Sequence, residues 1–449
     1  MCFKNREQII SNGETPVIKK IRRDVLDILS SALKAVDPYN AVKNKFNDDV
    51  IVFEKESIDI SSFKNIYLAG FGKASVGMAQ AVCDSIDIKE GVIITNDPGN
   101  IVKDCNVDTV VGGHPLPNSE SIKGGEKILK IAEKCDNDDL LIVLISGGGS
   151  ALLSKPRVCL KDLQNVTDLL LKCGANINEI NTIRKHLSLV KGGQLAAASK
   201  GFVISFIISD IISDPIGFIA SGPTYPDSTY FSDARKILEK YDLWARIPST
   251  VKNVILDGVK GKIAETPKKE DPAFKNVLNF IIANNEIACK AAKEKAKTLS
   301  YKTMLLTTSL DGEAKDVGRF LVDKTLNYMS SENKIIFIAG GETTVTVHGG
   351  GKGGRNQEMI LGSVRDLSEK DIVFASFATD GIDGMSDAAG AIADGFTLSR
   401  AQKSKLDPDV FLRNNNSYEF FKNLNDLLIT GPTGTNVMDI QVLIKSTRL

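Results

Sequence analysis

LIVLISGGGSALLSKP, residues 141–156, joins a run of branched aliphatics to three consecutive glycines and a second apolar run. Five apolar residues in succession, Leu141 to Ile145, leave no polar face, the pattern of a strand buried on both sides within a parallel sheet. Glycine loses the most conformational freedom on folding, so three together are costly unless the backbone must turn tightly or come close to something. Successive backbone N–H groups in such a turn, aimed with the start of a following helix, form a seat for an anion. Ser146, Gly147, Gly148, Gly149 and Ser150 are therefore candidates for holding a phosphate or a carboxylate. A tight strand-to-helix turn without a ligand would use the same glycines.

The same alternation spreads outward from this stretch. KNIYLAGFG (64–72) precedes the amphipathic KASVGMAQAVCDSI (73–86), GVIITN follows, and SESIKGGEKILKIAEKC leads back to the opening strand. Short buried strands alternating with helices of ten or more residues predict a parallel sheet covered on both faces, a doubly wound α/β layer. The segment GKIAETPKKEDPAFKNV (261–277), rich in Pro, Lys and Glu, reads as a linker. The pattern then resumes to a final strand, DIQVLIKST (439–447), so the expected division is a domain over 1–265 and a second α/β domain over 266–449.

Composition narrows the function classes. A hydrophobic content of 42% and a charged content of 25% are those of a folded globular chain. Acidic and basic residues balance at 56 each, which gives no basic field for nucleic acid or anionic lipid. No apolar run approaches the ~20 residues that span a bilayer. Seven scattered cysteines without a CxxC pair read as reduced thiols, and with no signal peptide in view the cytoplasm is expected. Three separated histidines offer no zinc ligand set.

Ligands of open α/β sheets bind beyond the carboxyl ends of strands, where five turns stand out. These are GFGKAS (70–75), SGGGSAL (146–152), ISDIISDP (208–215), GGETTVTVHGGGKGGRNQE (340–358) and ATDGIDG (378–384). GFGKAS lacks the third glycine of a dinucleotide fingerprint, and Tyr67 stands where a Walker-type loop needs its first glycine. Lys73, at the head of a helix, opposes the helix dipole unless an anion lies between them. Arg355, on a glycine-rich turn with Lys352 and Gly354, can fork onto phosphate oxygens, and the helix beginning near Asn356 adds its dipole. Asp210 and Asp214, and Asp380 and Asp383, suit magnesium completed by substrate phosphates, although aspartate is also an ordinary helix cap. A nicotinamide-dependent oxidoreductase is a competing reading, but its ribose-binding acid is not in place, because Glu90 precedes the GVIITN strand. A non-catalytic nucleotide or sugar-acid sensor is another.

GFGKASVGMAQ, GGHPLPNSES, LISGGGSALL, INTIRKHLSLVKGGQLA, SDIISDPIGFIASGPTYPD, GGETTVTVHGGGKGGRNQE and ATDGIDGMSDAAGAIAD, in this order, closely resemble glycerate 2-kinases of the class that carries a MOFRL C-terminal domain. The resemblance implies phosphorylation of D-glycerate by ATP and Mg2+ to 2-phosphoglycerate, in sugar-acid degradation of Entner–Doudoroff type. It implies a Rossmann-like N-terminal domain, a smaller MOFRL domain and an active site in the cleft between them, in a monomer or homodimer whose partners are small molecules. It assigns Lys73 and Arg355 to phosphoryl transfer and carries Asp210 and Asp214 over as catalytic or metal-binding aspartates. Gly72, Glu342, Lys352, Gly354 and Asp380 join the SGGGS turn as candidates for binding ATP or substrate.

Overall fold

A computed structural model describes residues 2–53, 56–329 and 334–446. The chain forms two compact α/β units, neither of them continuous in sequence. One comprises Pro38–Ser209 and Asp214–Ile282, the other Met1–Asp37, Asp210–Ser213 and Ala283–Leu449.

The first unit is built on strands β1 (Ile66–Phe71), β2 (Glu90–Thr95), β3 (Val107–Val111), β4 (Leu140–Ile145), β5 (Phe202–Ile208) and β6 (Val277–Ala283). They lie in the order β3-β2-β1-β4-β5-β6, and β1 to β5 pair in parallel. All six residues of β4 are buried, as its unbroken apolar run requires of a central strand. The strand order reverses between β1 and β4, which are in register from Ile66 opposite Leu140 to Phe71 opposite Ile145. Such a switch point opens a crevice beyond the strand ends. GFGKAS and SGGGS are the two turns that leave β1 and β4 there. Helices over residues 160–172, 177–186, 231–240 and 249–259 pack around Val166, Ile183, Phe231 and Leu238 as a separate apolar cluster of this unit.

Two expectations change here. Residues 261–277 are fastened to this unit: Thr266 Oγ1 donates to Asp227 at 3.0 Å, Asp227 N donates to the Pro267 carbonyl at 3.0 Å, and Phe231 N donates to Glu265 at 2.9 Å. Their charged and proline residues reflect a solvent-facing surface, and β6 follows them into the same sheet. Nor are all seven cysteines reduced thiols. Cys83, at the end of the helix Ser75–Cys83, and Cys105, before β3, form a disulfide with Cα atoms 5.9 Å apart, and the other five are free.

The second unit holds β7 (Lys302–Leu310), β8 (Lys334–Gly341), β9 (Ile372–Ala378), β10 (Gly390–Asp394), β11 (Leu427–Leu428) and β12 (Asp439–Ser446), in the order β7-β8-β12-β9-β10-β11. The last strand enters the middle of the sheet, antiparallel to both β8 and β9. Ile335, Phe337 and Ala339 share an apolar cluster with Leu321 and Met359 of the helices Ala314–Asn327 and Arg355–Leu367. On the alternate parity of β8, a Cβ at Gly340 would meet Asn285 and Cys289 of the helix Asn285–Thr298. The helix Pro16–Ala35 belongs to this unit as well. Its fully buried Arg22 donates to Asp394 at 2.8 Å and to Asp426 at 2.6 Å, a pairing without which a buried guanidinium would be prohibitive.

Candidate active site

At the switch point the two glycine turns interlock. Lys73 N donates to the Gly147 carbonyl at 2.9 Å and Ala74 N donates to Ser146 Oγ at 3.1 Å. Gly72 has a φ of +123°, and a side chain there would strike the Ser146 hydroxyl. Gly148, at a φ of +84°, needs the left-handed region, and a Cβ on it would lie 3.1 Å from the His114 ring and 3.4 Å from Lys73 Cγ. A Cβ on Gly149 would lie 2.7 Å from that of Ala220. The glycines thus serve both a sharp turn and a close approach, and the groups brought close are His114 and Lys73. Lys73 itself is exposed. Its charge, added to burial, lowers the pKa of the His114 imidazole.

Beside this turn lies a cavity of about 220 Å³, whose lining includes His114, Gly148, Ser150, Arg184 and Lys191. Lys191 is buried, and its Nζ donates to the carbonyls of Ser150 at 2.8 Å and Leu153 at 2.6 Å. Burial, and then the neighbouring Arg184, bring its pKa down to about 7. Burial lowers Arg184 too. These residues fell inside the quoted blocks GGHPLPNSES and INTIRKHLSLVKGGQLA but were not singled out. Only the fold shows that the RK and VK pairs turn one cation each toward the SGGGS turn.

The second unit gathers its functional side chains at one end of its sheet. Asp439, the first residue of β12, lies opposite Gly341 of β8 and Ala378 of β9, so Glu342 and Asp380 follow from the neighbouring strand ends. Arg355 opens its helix beside them. Its Nε and Nη2 fork onto the two oxygens of Asp439 at 2.6 and 2.9 Å, and its Nη1 reaches Glu342 at 2.8 Å. Burial opposes the charge on Arg355, but Asp439 and Glu342 outweigh it and raise its pKa. Partial desolvation raises Glu342 against the pull of Arg355, and the charges of Asp439, Asp210 and Asp380 push in the same direction. Asp439 was not anticipated. Its signal in the sequence is a carboxylate opening an otherwise apolar last strand.

The start of the helix at Arg355 is already occupied by a carboxylate of the protein. Asp383 accepts from the backbone N–H groups of Asn356 at 3.0 Å and Gln357 at 2.8 Å, and from both their side-chain amides. It is the cap that aspartate supplies in the plainer reading of ATDGIDG. Burial nevertheless raises its carboxyl to about 6. The glycine-rich stretch before Arg355 is pinned as well: His348 N and Gly349 N donate to Asn415, and the Lys352 ammonium sits 3.9 Å from the centre of the Tyr418 ring. Gly354 admits no side chain, because Asp383 packs against it.

Asp210 falls in the same unit as Glu342 and Arg355, whereas Asp214, with a φ of +51°, falls in the other. Among the described residues no group of three or more His, Cys, Asp or Glu is placed to hold a metal ion. Nor is any helix among them long and apolar enough to cross a membrane.

Comparison with known proteins gives two family matches. Residues 24–256 match a domain of unknown function, DUF4147, and residues 335–439 match the MOFRL family. Glycerate 2-kinase of Pyrococcus horikoshii is 43% identical over 95% of this chain and 98% of its own. D-glycerate 2-kinase of Thermotoga maritima is 37% identical over 94% of this chain and 98% of its own. A crystal structure of glycerate kinase from Thermotoga maritima superposes with a TM-score of 0.84 at 36% identity, covering 95% of this chain and all of that one.

Proposed function

Because this chain belongs to the MOFRL-bearing glycerate kinase family and is an enzyme of the kinase class, we propose that it transfers the γ-phosphoryl group of ATP to the 2-hydroxyl of D-glycerate. The products are 2-phosphoglycerate and ADP. The observation that carries this reading is the pair of interlocked turns at the switch point, which bring Lys73, His114 and the main chain of Gly147–Ser150 to one crevice. Phosphoryl transfer passes through a loose transition state, so the protein's work is to position the groups and neutralise charge.

In this mechanism the 2-hydroxyl oxygen of glycerate attacks the γ-phosphorus, the bond to the β–γ bridging oxygen breaks, and ADP leaves with that electron pair. Lys73 contacts the transferred phosphoryl group. Arg355, held in a fixed plane by Asp439 and Glu342, completes the neutralisation through its exposed edge; its side chain is 29% exposed. Asp214 draws the hydroxyl proton. The Glu342 carboxyl feels the charges of Asp210 and Asp380, and one or two of these carboxylates would hold Mg2+. Magnesium is commonly held by one or two protein carboxylates with substrate phosphates completing its shell, so this set fits it without a three-residue cage. When bound, the ion supplies charge neutralisation on the phosphate oxygens.

A coupled assay tests the reading. With ATP, magnesium and D-glycerate, the product should be consumed by enolase directly. Product that enolase takes only after a mutase is added would be 3-phosphoglycerate and would overturn the assignment of the 2-hydroxyl.

A further inference from the structure

The cavity beside the SGGGS turn contains two cations and no carboxylate. Arg184 and Lys191 line it together, and among the described residues neither makes an ion pair. Among the described residues the partly buried Arg184 side chain makes no hydrogen bond either, and the Lys191 ammonium is satisfied only by the carbonyls of Ser150 and Leu153. Charged side chains withdrawn from water are ordinarily paired, because desolvation costs more than a lone charge recovers. Two like charges side by side raise that cost, and an anionic ligand would offset it. The remaining lining mixes uncharged polar groups with an apolar wall, in which Pro115, Leu116, Pro117, Leu163 and Leu187 take part, and Leu116 is 53% exposed in the free protein.

We propose that this cavity seats the purine nucleotide, with its phosphate chain toward Arg184, Lys191 and the main chain at Gly148–Ser150, and its ring against the Pro115–Pro117 segment and Leu163. The inference rests on the kinase reading and assigns one of its two substrates to a place. Glycerate, three carbons with a carboxylate and two hydroxyls, has no apolar surface to set against these walls, whereas a purine has two faces of it. Gln164 adds a criterion of specificity. Its Nε2 donates to the Pro117 carbonyl at 3.0 Å, which leaves Oε1 as the acceptor for the exocyclic amino group of adenine. Guanine offers a carbonyl at that position, so ADP should bind better than GDP. The lowered pKa of Lys191 agrees with a site that awaits an anion.

Calorimetric titration of the whole protein with ADP, GDP, inorganic phosphate and D-glycerate tests this. Arg184→Met should weaken ADP at least tenfold, leave D-glycerate within threefold, and leave the thermal midpoint of the free protein equal or higher, because an unpaired desolvated cation is gone. Leu116→Asp, at an exposed position that does not threaten folding, should weaken ADP to a similar degree. Inorganic phosphate should bind far more weakly than ADP, and Leu116→Asp should spare it relative to ADP. ADP affinity unchanged in both variants would overturn the proposal, as would a loss confined to D-glycerate, which would make the cavity the seat of the acid. Neither result touches the kinase reading, which fails only if ATP and glycerate give no phosphorylated product.

Discussion

The two strand-end sites are built with opposite deficits. Around β1 and β4, Lys73, Arg184 and Lys191 make no ion pair with any described carboxylate. At the ends of β8, β9 and β12 the imbalance reverses: Arg355 is shared by Asp439 and Glu342, with Asp380, Asp383 and Asp210 within electrostatic reach of that group. Among the described residues, one site gathers cations without a carboxylate and the other gathers carboxylates around a single arginine. On the proposed reading, ATP bound as its magnesium complex would offer the first site an anion and the second a cation.

The sharpest way to break this comparison is to remove a cation from each side. Arg355→Met leaves the Asp439 carboxylate buried and unpaired, so it should lower stability by about 3 kcal/mol as well as activity, the usual order for breaking a buried pair. Lys73 is exposed and holds nothing up. Lys73→Met should therefore leave the denaturant midpoint in place while lowering kcat by roughly two orders of magnitude, as the loss of a transition-state donor does. Denaturation and steady-state kinetics on both variants separate the cases. A destabilised Lys73→Met, or a fully stable Arg355→Met, would erase the distinction between a waiting cation and a spent one.

A smaller effect tests the acidic site alone. Asp383→Asn substitutes an amide that cannot accept on both sides, leaving donors of Asn356 or Gln357 without a partner, and should cost about 1–3 kcal/mol. As a cap, Asp383 should influence the magnesium requirement little. If the thermal midpoint stayed put while the magnesium concentration for half-maximal rate rose severalfold, Asp383 would be a metal ligand.

The sequence carried the first unit's plan openly, because β4 is apolar throughout and Gly148 in its turn sits where the chain must bend left-handed. It was less open about what each charged residue faces. Arg355 reads as a phosphate fork because its partner, Asp439, is 84 residues away and meets it only when the last strand enters the middle of the sheet. The affiliation of residues 2–37 is hidden for the same reason. Arg22 lies on an ordinary amphipathic helix, and the two aspartates that hold it stand 372 and 404 residues further on. Arg184 and Lys191 were in plain sight within a long helical block, but helical periodicity says only that they share a neighbourhood, not that a cavity without carboxylates opens there.

The measurement that compares both sites at once is the pH dependence of stability. Asp383 has its carboxyl raised by burial from 3.8 to about 6. The folded protein therefore binds more protons than the unfolded chain between those values, and stability should fall as pH rises from about 4 to 6. Lys191 is the reverse case. Its folded pKa, near 7, lies below the ordinary 10.5, so above pH 7 the unfolded chain holds the extra proton and stability should rise toward pH 10. Chemical denaturation across pH 4–10 should show the first slope vanish in Asp383→Asn and the second in Lys191→Met. Saturating ADP should flatten the alkaline limb of the unsubstituted protein, because a bound phosphate favours the charged lysine, and leave the acidic limb as it was. An alkaline slope indifferent to ADP would mean that the proton on Lys191 and the nucleotide do not meet, and that the cation deficit of the two sites is not answered by the ligand assigned to it.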